Sequence, residues 1–326
     1  MANAWRRDTR TLKLLSSNSL LLLFSISFFL LLIFFFTSNP TKLINNNSQN
    51  TPNSHLKYTF NSQKIKPFDC KNSPQSHPII ATITEGLKYP FIFSLADLGY
   101  LPERPNHFFQ RILNNKPFRR PDISGPIQEV LGRFRAEGKK GILVDVGVNV
   151  GMATFAAAAM GVPVVGFEPV FENLQRVCDG IYFNRVSDLV TVFNAAVSDH
   201  FGNITFHKLV GRLDNSAVSA AGAKMSFKSS EEIAVQVTTI PLDDVIPESQ
   251  PVLLLKIDVQ GWEYHVLKGA KKLLSRKGSK APYIIYEEDE RLLKASNTTA
   301  TEIRDFLQSV GYDCEDHGND AHCTKN

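Results

Sequence analysis

The stretch from residue 141 to 169 constrains the fold most: Gly-Ile-Leu-Val-Asp-Val-Gly-Val-Asn-Val-Gly, an Ala-rich segment, then Val-Pro-Val-Val-Gly-Phe-Glu-Pro. The pattern predicts strand, glycine turn, helix and strand, which together make one βαβ unit. Ile142 to Val146 is short, rich in β-branched residues and unalternating, as expected of a strand covered on both faces in a parallel sheet. Gly147 and Gly151 bracket Asn149, and residues of this kind let the main chain take left-handed angles and approach a ligand with no Cβ in the way. From Met152 the run is rich in strong helix formers, with Gly161 where a C-terminal cap would stand. The helix N-terminus then faces whatever the turn holds. The second strand, Val164 to Phe167, delivers Glu168 about twenty residues after the turn, the offset at which a carboxylate can accept both hydroxyls of an adenosine ribose.

Two cofactor classes use this arrangement. A dinucleotide site wants G-x-G-x-x-G, but the second and third glycine positions hold Asn149 and Met152, so a pyrophosphate fits poorly. The pattern D-x-G-x-N-x-G, starting at Asp145, resembles motif I of class I S-adenosylmethionine (SAM) methyltransferases. That resemblance implies SAM as cofactor, bound by Asp145, Gly147, Asn149, Gly151 and Glu168, with Asp145 near the methionine moiety and sulfonium. A dinucleotide, or a relic turn without ligand, is the alternative.

The chain has 326 residues, 43% of them apolar, enough for a substantial core. Its formal charge of +4 is concentrated at the start, where Arg6, Arg7, Arg10 and Lys13 outweigh Asp8. The remainder is close to neutral and shows no basic stripe, which sets nucleic-acid binding aside. Cys70, Cys178, Cys314 and Cys323 form no C-x-x-C pair and have no histidines at zinc spacing, so no metal ligands are assigned. Cys314 and Cys323 could bridge the last hairpin in an oxidising lumen, or stay reduced.

No charged residue occurs between Lys13 and Lys42, and Leu20 to Phe36 is almost wholly Leu, Phe and Ile. This predicts a transmembrane signal anchor over 14–36 after a cytosolic tail, 1–13; it is too long for a cleaved signal core and lacks a small-residue cleavage site. Arginines before the span orient the chain as a single-pass type II protein with its domain in the lumen, and a short Phe-rich span suits Golgi or endoplasmic reticulum membranes. Residues 37–78, crowded with Asn, Ser, Thr, Pro and Gln, read as a flexible stem. N-x-S/T triplets at Asn46, Asn203 and Asn297 agree with lumenal placement. A proline-broken cap is expected over 79–125, and the catalytic core over 126–326 opens with an amphipathic helix bearing Ile127, Val130, Leu131 and Phe134.

A third strand is expected over Leu189 to Val197. Ser198 and Asp199 follow at once and are candidates to bind the cofactor, Asp199 by accepting from the adenine amino group; a plain turn into a hairpin with Ile204 to His207 is the other reading. Residues 208–232 should form an excursion near the site, with Asn215 and Ser216 facing ligand. In the next central strand, Val252 to Asp258, Lys256 is buried in an apolar run and must be paired. Period-two geometry nominates Asp258, or Glu287 at the end of the strand from Tyr283. A helix over Thr299 to Val310 and a closing antiparallel pair, Tyr312 to Glu315 with Ala321 to Thr324, complete the chain.

The segments VDVGVNVG, VVGFEP, NAAVSD, PLDDV and LLKIDVQGWEYHVLKGA, in this order, resemble the FkbM family of methyltransferases over residues 122–288. Val148 replaces the usual Ala before Asn149, and Gln260 stands where many members carry Glu. The resemblance implies the Rossmann-like α/β fold of class I SAM methyltransferases, a seven-stranded, mostly parallel sheet with helices on both faces and the last strand reversed. It also implies methylation of hydroxyls, including those of sugars. With the anchor, this points to a polysaccharide, glycoconjugate or small-molecule hydroxyl as acceptor. An acceptor hydroxyl needs a base near the strand ends, for which Asp258 is the first candidate, followed by Glu287, Glu288 and His265. A Golgi glycosyltransferase would normally carry Asp-x-Asp, which is absent here. A non-catalytic SAM-fold scaffold is the other rival.

Overall fold

The computed structural model describes residues 65–325, apart from 75–78, 96–98, 101, 106, 117, 120–122 and 226–230. The expected tail, anchor, most of the stem and Asn46 lie outside the described residues. Among the described residues no helix is long and apolar enough to cross a membrane.

A seven-stranded sheet organises the domain. Its strands are β1 (Ile142–Val146), β2 (Val164–Phe167), β3 (Val190–Phe193), β4 (Val252–Ile257), β5 (Tyr283–Glu287), β6 (Tyr312–His317) and β7 (Asp320–Lys325). Their spatial order is β3-β2-β1-β4-β5-β7-β6, and β7 alone runs against its neighbours β5 and β6. The architecture is therefore mixed α/β with a large, mostly parallel sheet, resembling class I SAM methyltransferases. The order reverses between β1 and β2 on one side and β4 on the other, so a crevice opens at the carboxyl ends of these strands. Every residue of β1 and β2 is buried, which explains their unalternating apolar sequences.

Helices cover both faces. On one face α1 (Ser124–Ala136), α2 (Met152–Ala158) and α3 (Phe171–Asn184) bury Ile127, Leu131, Phe155 and Leu174 against Leu143 and Leu254. On the other, α4 (Glu263–Lys268) and α5 (Ala300–Ser309) bury Val266, Leu267, Ile303 and Leu307 against Val144's and Ile257's side of the sheet. Gly180 of α3 packs on Phe155, where a Cβ would overlap the ring.

Three expectations are corrected. The third strand stops at Phe193, because Asn194 turns its amide back to donate to the carbonyls of Glu168 and Pro169 (3.1 Å each). Ala196–Val197 then pairs with Thr239 and Ile240 in a separate small sheet. That sheet contains the hairpin Gly202–Leu209 with Glu232–Ile240, longer than the alternation indicated. Packed structure also begins earlier than the stem boundary implied. The Phe68 amide donates to the Val192 carbonyl at 2.7 Å, beside β3, and Cys70 is disulfide-bonded to Cys178 of α3. Cys314 and Cys323 are bridged across β6 and β7.

The Cys70–Cys178 bridge closes a loop of 108 residues, so it removes much of the unfolded chain's freedom. Cys70→Ser together with Cys178→Ser is expected to lower stability by about 2–5 kcal/mol. The midpoint of urea unfolding checks this; a loss below about 0.5 kcal/mol would mean that the bridge constrains nothing the core does not already hold.

Candidate active site

β1 ends in a turn that the sequence makes unavoidable. Gly147, Asn149 and Gly151 all have positive φ (80°, 53° and 94°). A Cβ on Gly147 would run into the Asp258 carbonyl of the loop after β4, so glycine here lets the two strand ends close on each other. Gly151 serves differently: it caps α2, and a Cβ would overlap the Phe155 ring. It does not line the crevice.

The crevice is a cleft of about 580 Å³, counted out to open solvent. One side carries Gly147, Asn149 and Glu168, the other Asp258, Val259, Gln260 and Trp262. Its floor and far wall are apolar, with Phe167 from the main sheet, Ala195, Ala196 and Val197 from the segment that enters the small sheet, and Phe206, Leu213 and Val218 from the hairpin and its excursion. Ser216 also lines it, while its hydroxyl accepts from the Leu209 amide at 3.2 Å; Asn215 instead accepts from Arg212 at 2.8 Å.

Glu168, only 4% exposed, is held by its neighbours. The Asn149 amide donates to Oε2 (2.8 Å), while the Val170 amide (3.0 Å) and the Asn173 side-chain amide (3.2 Å) donate to Oε1. Burial pushes its pKa up, only partly offset by these donors and by the charge of Lys256. Asn173 escaped the sequence reading; the available signal was an amide five residues past the carboxylate, on the first turn of the next helix.

Asp145 departs from its expected place. It is fully buried behind the crevice wall, where Thr154 Oγ1 donates to Oδ2 at 2.6 Å and Lys256 Nζ lies 3.2 Å from Oδ1. The register of β1 and β4 sets Asp145 directly beside Lys256. Asp145 is thus the main partner of Lys256; Asp258 stands at 4.0 Å, and the proposed Glu287 pairing is not made. Lys256 also donates to the Gly147 carbonyl at 2.5 Å, fastening the glycine turn. Burial works against its charge, but Asp145 and Asp258 outweigh burial and raise its pKa.

Ser198 and Asp199 are turned away from the crevice. Ser198 is fully buried and accepts from Trp262 Nε1 at 3.3 Å. Asp199 is surrounded by Lys268 (2.9 Å), His200 (2.7 Å) and His265 (3.3 Å). Burial opposes its ionisation, yet these donors hold its carboxyl well below the usual range. His265, stacked on Trp262 at 3.8 Å, serves that cluster and does not line the crevice.

Among the base candidates Asp258 lines the crevice, with its side chain 46% exposed. Glu287 does not: burial, then the charges of Asp258, Glu263, Asp320 and Asp289, push its pKa up to about 10. A carboxyl that is neutral at physiological pH cannot serve as a general base there. Glu288 is committed to Arg304, whose Nη2 lies 2.7 Å away. Gln260, at φ 55°, links the two acids, donating from Nε2 to Asp258 Oδ1 (3.1 Å) and to Glu287 Oε2 (2.9 Å). Beneath this loop Glu263, missed in the sequence, accepts from the amides of Val259 (3.0 Å) and Gly261 (3.2 Å) through Oε1.

The ionisable residues lining the crevice are two acids, Glu168 and Asp258; Lys256 lies behind its wall, 4.0 Å from Asp258 and engaged chiefly by Asp145. A diphosphate would meet repulsion here, whereas a nucleoside carrying a sulfonium and an ammonium fits. SAM therefore suits the residues present: Glu168 for the ribose, the apolar wall for adenine, and the turn with Asp258 for the methionine end.

Two measurements probe this framework. Lys256→Met leaves the buried Asp145 carboxylate unpaired and is expected to cost about 3–5 kcal/mol in urea unfolding. Adding Asp145→Asn should recover most of that loss, and a double variant as unstable as the single one would refute the pairing. For Glu263, burial outweighs its hydrogen bonds and raises the pKa to about 7. The unfolded carboxyl titrates near about 4.3, so the folded state keeps the extra proton between about pH 4.3 and 7 and stability falls as pH rises through that window. Glu263→Gln is therefore expected to be more stable than the native chain at about pH 8, by on the order of 3 kcal/mol, with the advantage gone below about pH 4.

A family model described as "Methyltransferase FkbM domain" matches residues 145–314, over half of the chain. No curated protein matches significantly in sequence. The 16S rRNA N2 methyltransferase RsmC of T. thermophilus, solved with AdoMet and guanosine, is 12% identical, with 78% of this chain and 52% of that one covered and a TM-score of 0.39. Precorrin-6y C5,15-methyltransferase of Geobacter metallireducens is 13% identical, covering 62% and 89%, with a TM-score of 0.34. Monomeric WbdD is 14% identical, covering 71% and 46%, with a TM-score of 0.37. This chain thus spans about half of RsmC and of WbdD, and likenesses so distant carry no argument about substrate. The family match shows that this chain belongs to the FkbM methyltransferases, with SAM as its cofactor.

Proposed function

We propose that this methyltransferase acts on oxygen, transferring a methyl group to a hydroxyl of a sugar, polysaccharide or glycoconjugate in the secretory pathway. In this reading residues 14–36 anchor it as a type II membrane protein, and the described domain works in the lumen of the Golgi or endoplasmic reticulum. The observation that carries the reading is Asp258, half exposed at the carboxyl end of β4 and facing the same crevice as Glu168. Lumenal placement is supported by the two disulfides, which belong to oxidising compartments. The uncharged run before Lys42 supports the anchor.

Bound SAM supplies a methyl group on a sulfonium that is already a good leaving group. What remains for the chain is to hold an acceptor hydroxyl and take its proton. Asp258 accepts that proton from the acceptor oxygen, and the Gln260 amide keeps the carboxylate turned toward the crevice. The apolar wall excludes water from the adenine side, and Glu168 fixes the ribose so that the reacting groups meet in line. Orientation of this kind is worth up to about 7–11 kcal/mol of barrier.

Asp258→Asn is expected to lower turnover at saturating SAM by about 10²–10⁴-fold, with any loss of SAM affinity read separately by calorimetric titration. Labelled SAM offered with glycans, proteins and small alcohols decides the acceptor class. Label on glycan hydroxyls is the expected result; label on protein alone would overturn the reading.

A further inference from the structure

A second pocket, of about 690 Å³, opens at the opposite end of the main sheet, where β4 and β5 begin and β7 ends. It is unlike the crevice in charge: its charged lining residues are Lys139 and Lys325, and no acid lines it. Phe134 of α1 and Tyr283 of β5 supply two aromatic walls, their rings 6.3 Å apart and edge to face. Arg133 lies 5.8 Å from the Tyr283 ring, and Lys139 stands 4.8 Å from that of Phe134. One exposed acid, Glu137, pairs with Lys139 at 2.8 Å on the rim.

Burial and then Lys277 push the Lys325 pKa down, and burial, His317 and Arg133 push His322 down to about 4. Two lysines in a concave lining that holds no acid are complementary to an anionic group. A membrane surface would need a broad exposed apolar face, whereas this site is a concave cleft whose lining combines two lysines with two aromatic rings.

We propose that this pocket binds an acidic saccharide, a sugar ring bearing a carboxylate. Lys139 and Lys325 meet the carboxylate, while Phe134 and Tyr283 pack against the ring's C–H surface. The six residues of β4 separate the pocket from Asp258 by about 20 Å. The pocket therefore holds a distant part of a long acceptor and takes no part in the chemistry. The inference deepens the glycan reading above and rests on it for its biological sense, but binding at this pocket is measurable without any transfer.

The test is calorimetric titration of the full chain with a hexameric oligouronate, with its methyl-esterified, uncharged counterpart, and with inorganic phosphate at equal charge. The oligouronate should bind and the uncharged counterpart should not. Lys139→Glu combined with Lys325→Glu should weaken binding at least about tenfold, with SAM affinity kept. Lys325 also donates to the Leu274 carbonyl at 2.8 Å, so Lys139→Glu alone, at an exposed position, serves if the double variant does not fold. Equal binding of charged and uncharged saccharide, full competition by phosphate, or native affinity in the charge variants would each overturn the proposal. Methyl transfer to glycans without such binding would refute this pocket and leave the proposed function standing; binding without transfer would do the reverse.

Discussion

A single buried ion pair ties the fold to its crevice. Lys256 and Asp145 stand side by side on adjacent parallel strands, both almost fully buried, and the lysine's remaining donors reach the Gly147 carbonyl. Two charges in a core are costly unless each is paired and hydrogen-bonded. Here the cost is offset by position: the pair locks together the two strands whose divergence opens the crevice, and it fixes the turn that forms one lip. Thr154 brings α2 into the same network through Asp145. The first βαβ unit and the fourth strand are thereby registered to one another at the place where ligand must lie.

The loop after β4 completes that place from the other side. Gln260 and Gly261 both adopt positive φ, and Gly261 has no room for a Cβ against the Leu292 carbonyl. Such a loop holds its shape only if its surroundings over-determine it. Glu263 satisfies two of its amides from below, and Gln260 spans Asp258 and Glu287 from above. Because burial and the neighbouring acids raise the Glu287 pKa, the acids around the loop do not all carry charge together.

The fold was legible wherever a property is local. Strand, turn and helix in the first βαβ unit follow from composition and glycine placement, and the closing antiparallel pair follows from alternation. The site was legible at Glu168 and Asp258, which end strands. What stayed hidden depends on neighbours distant in sequence. Period two along β4 ranked Asp258 and Glu287 as partners of Lys256, but the partner comes from the register with β1, which no single strand encodes. Gly151 looked like a ligand glycine, yet the Phe155 ring is what requires it. Asp199 was placed by a strand end that Asn194 moves forward, and its partners Lys268 and His265 arrive from α4. The Cys70–Cys178 bridge spans 108 residues, beyond the reach of spacing arguments.

The distribution of charge follows from the same topology. Parallel strands deliver different loops to the two ends of the sheet, and the linings of the two pockets differ in sign. At the carboxyl ends Glu168 and Asp258 face the crevice, while the nearby cations, Lys256 and Lys268, are engaged behind it by Asp145 and Asp199. At the amino ends Lys139 and Lys325 line a pocket without a lining acid. A cationic nucleoside is drawn to the first and an anion is not; the second reverses that preference. Under the acidic-saccharide proposal, partition of this kind would let one small domain hold a positively charged methyl donor and a negatively charged polymer without competition between them for the same surface.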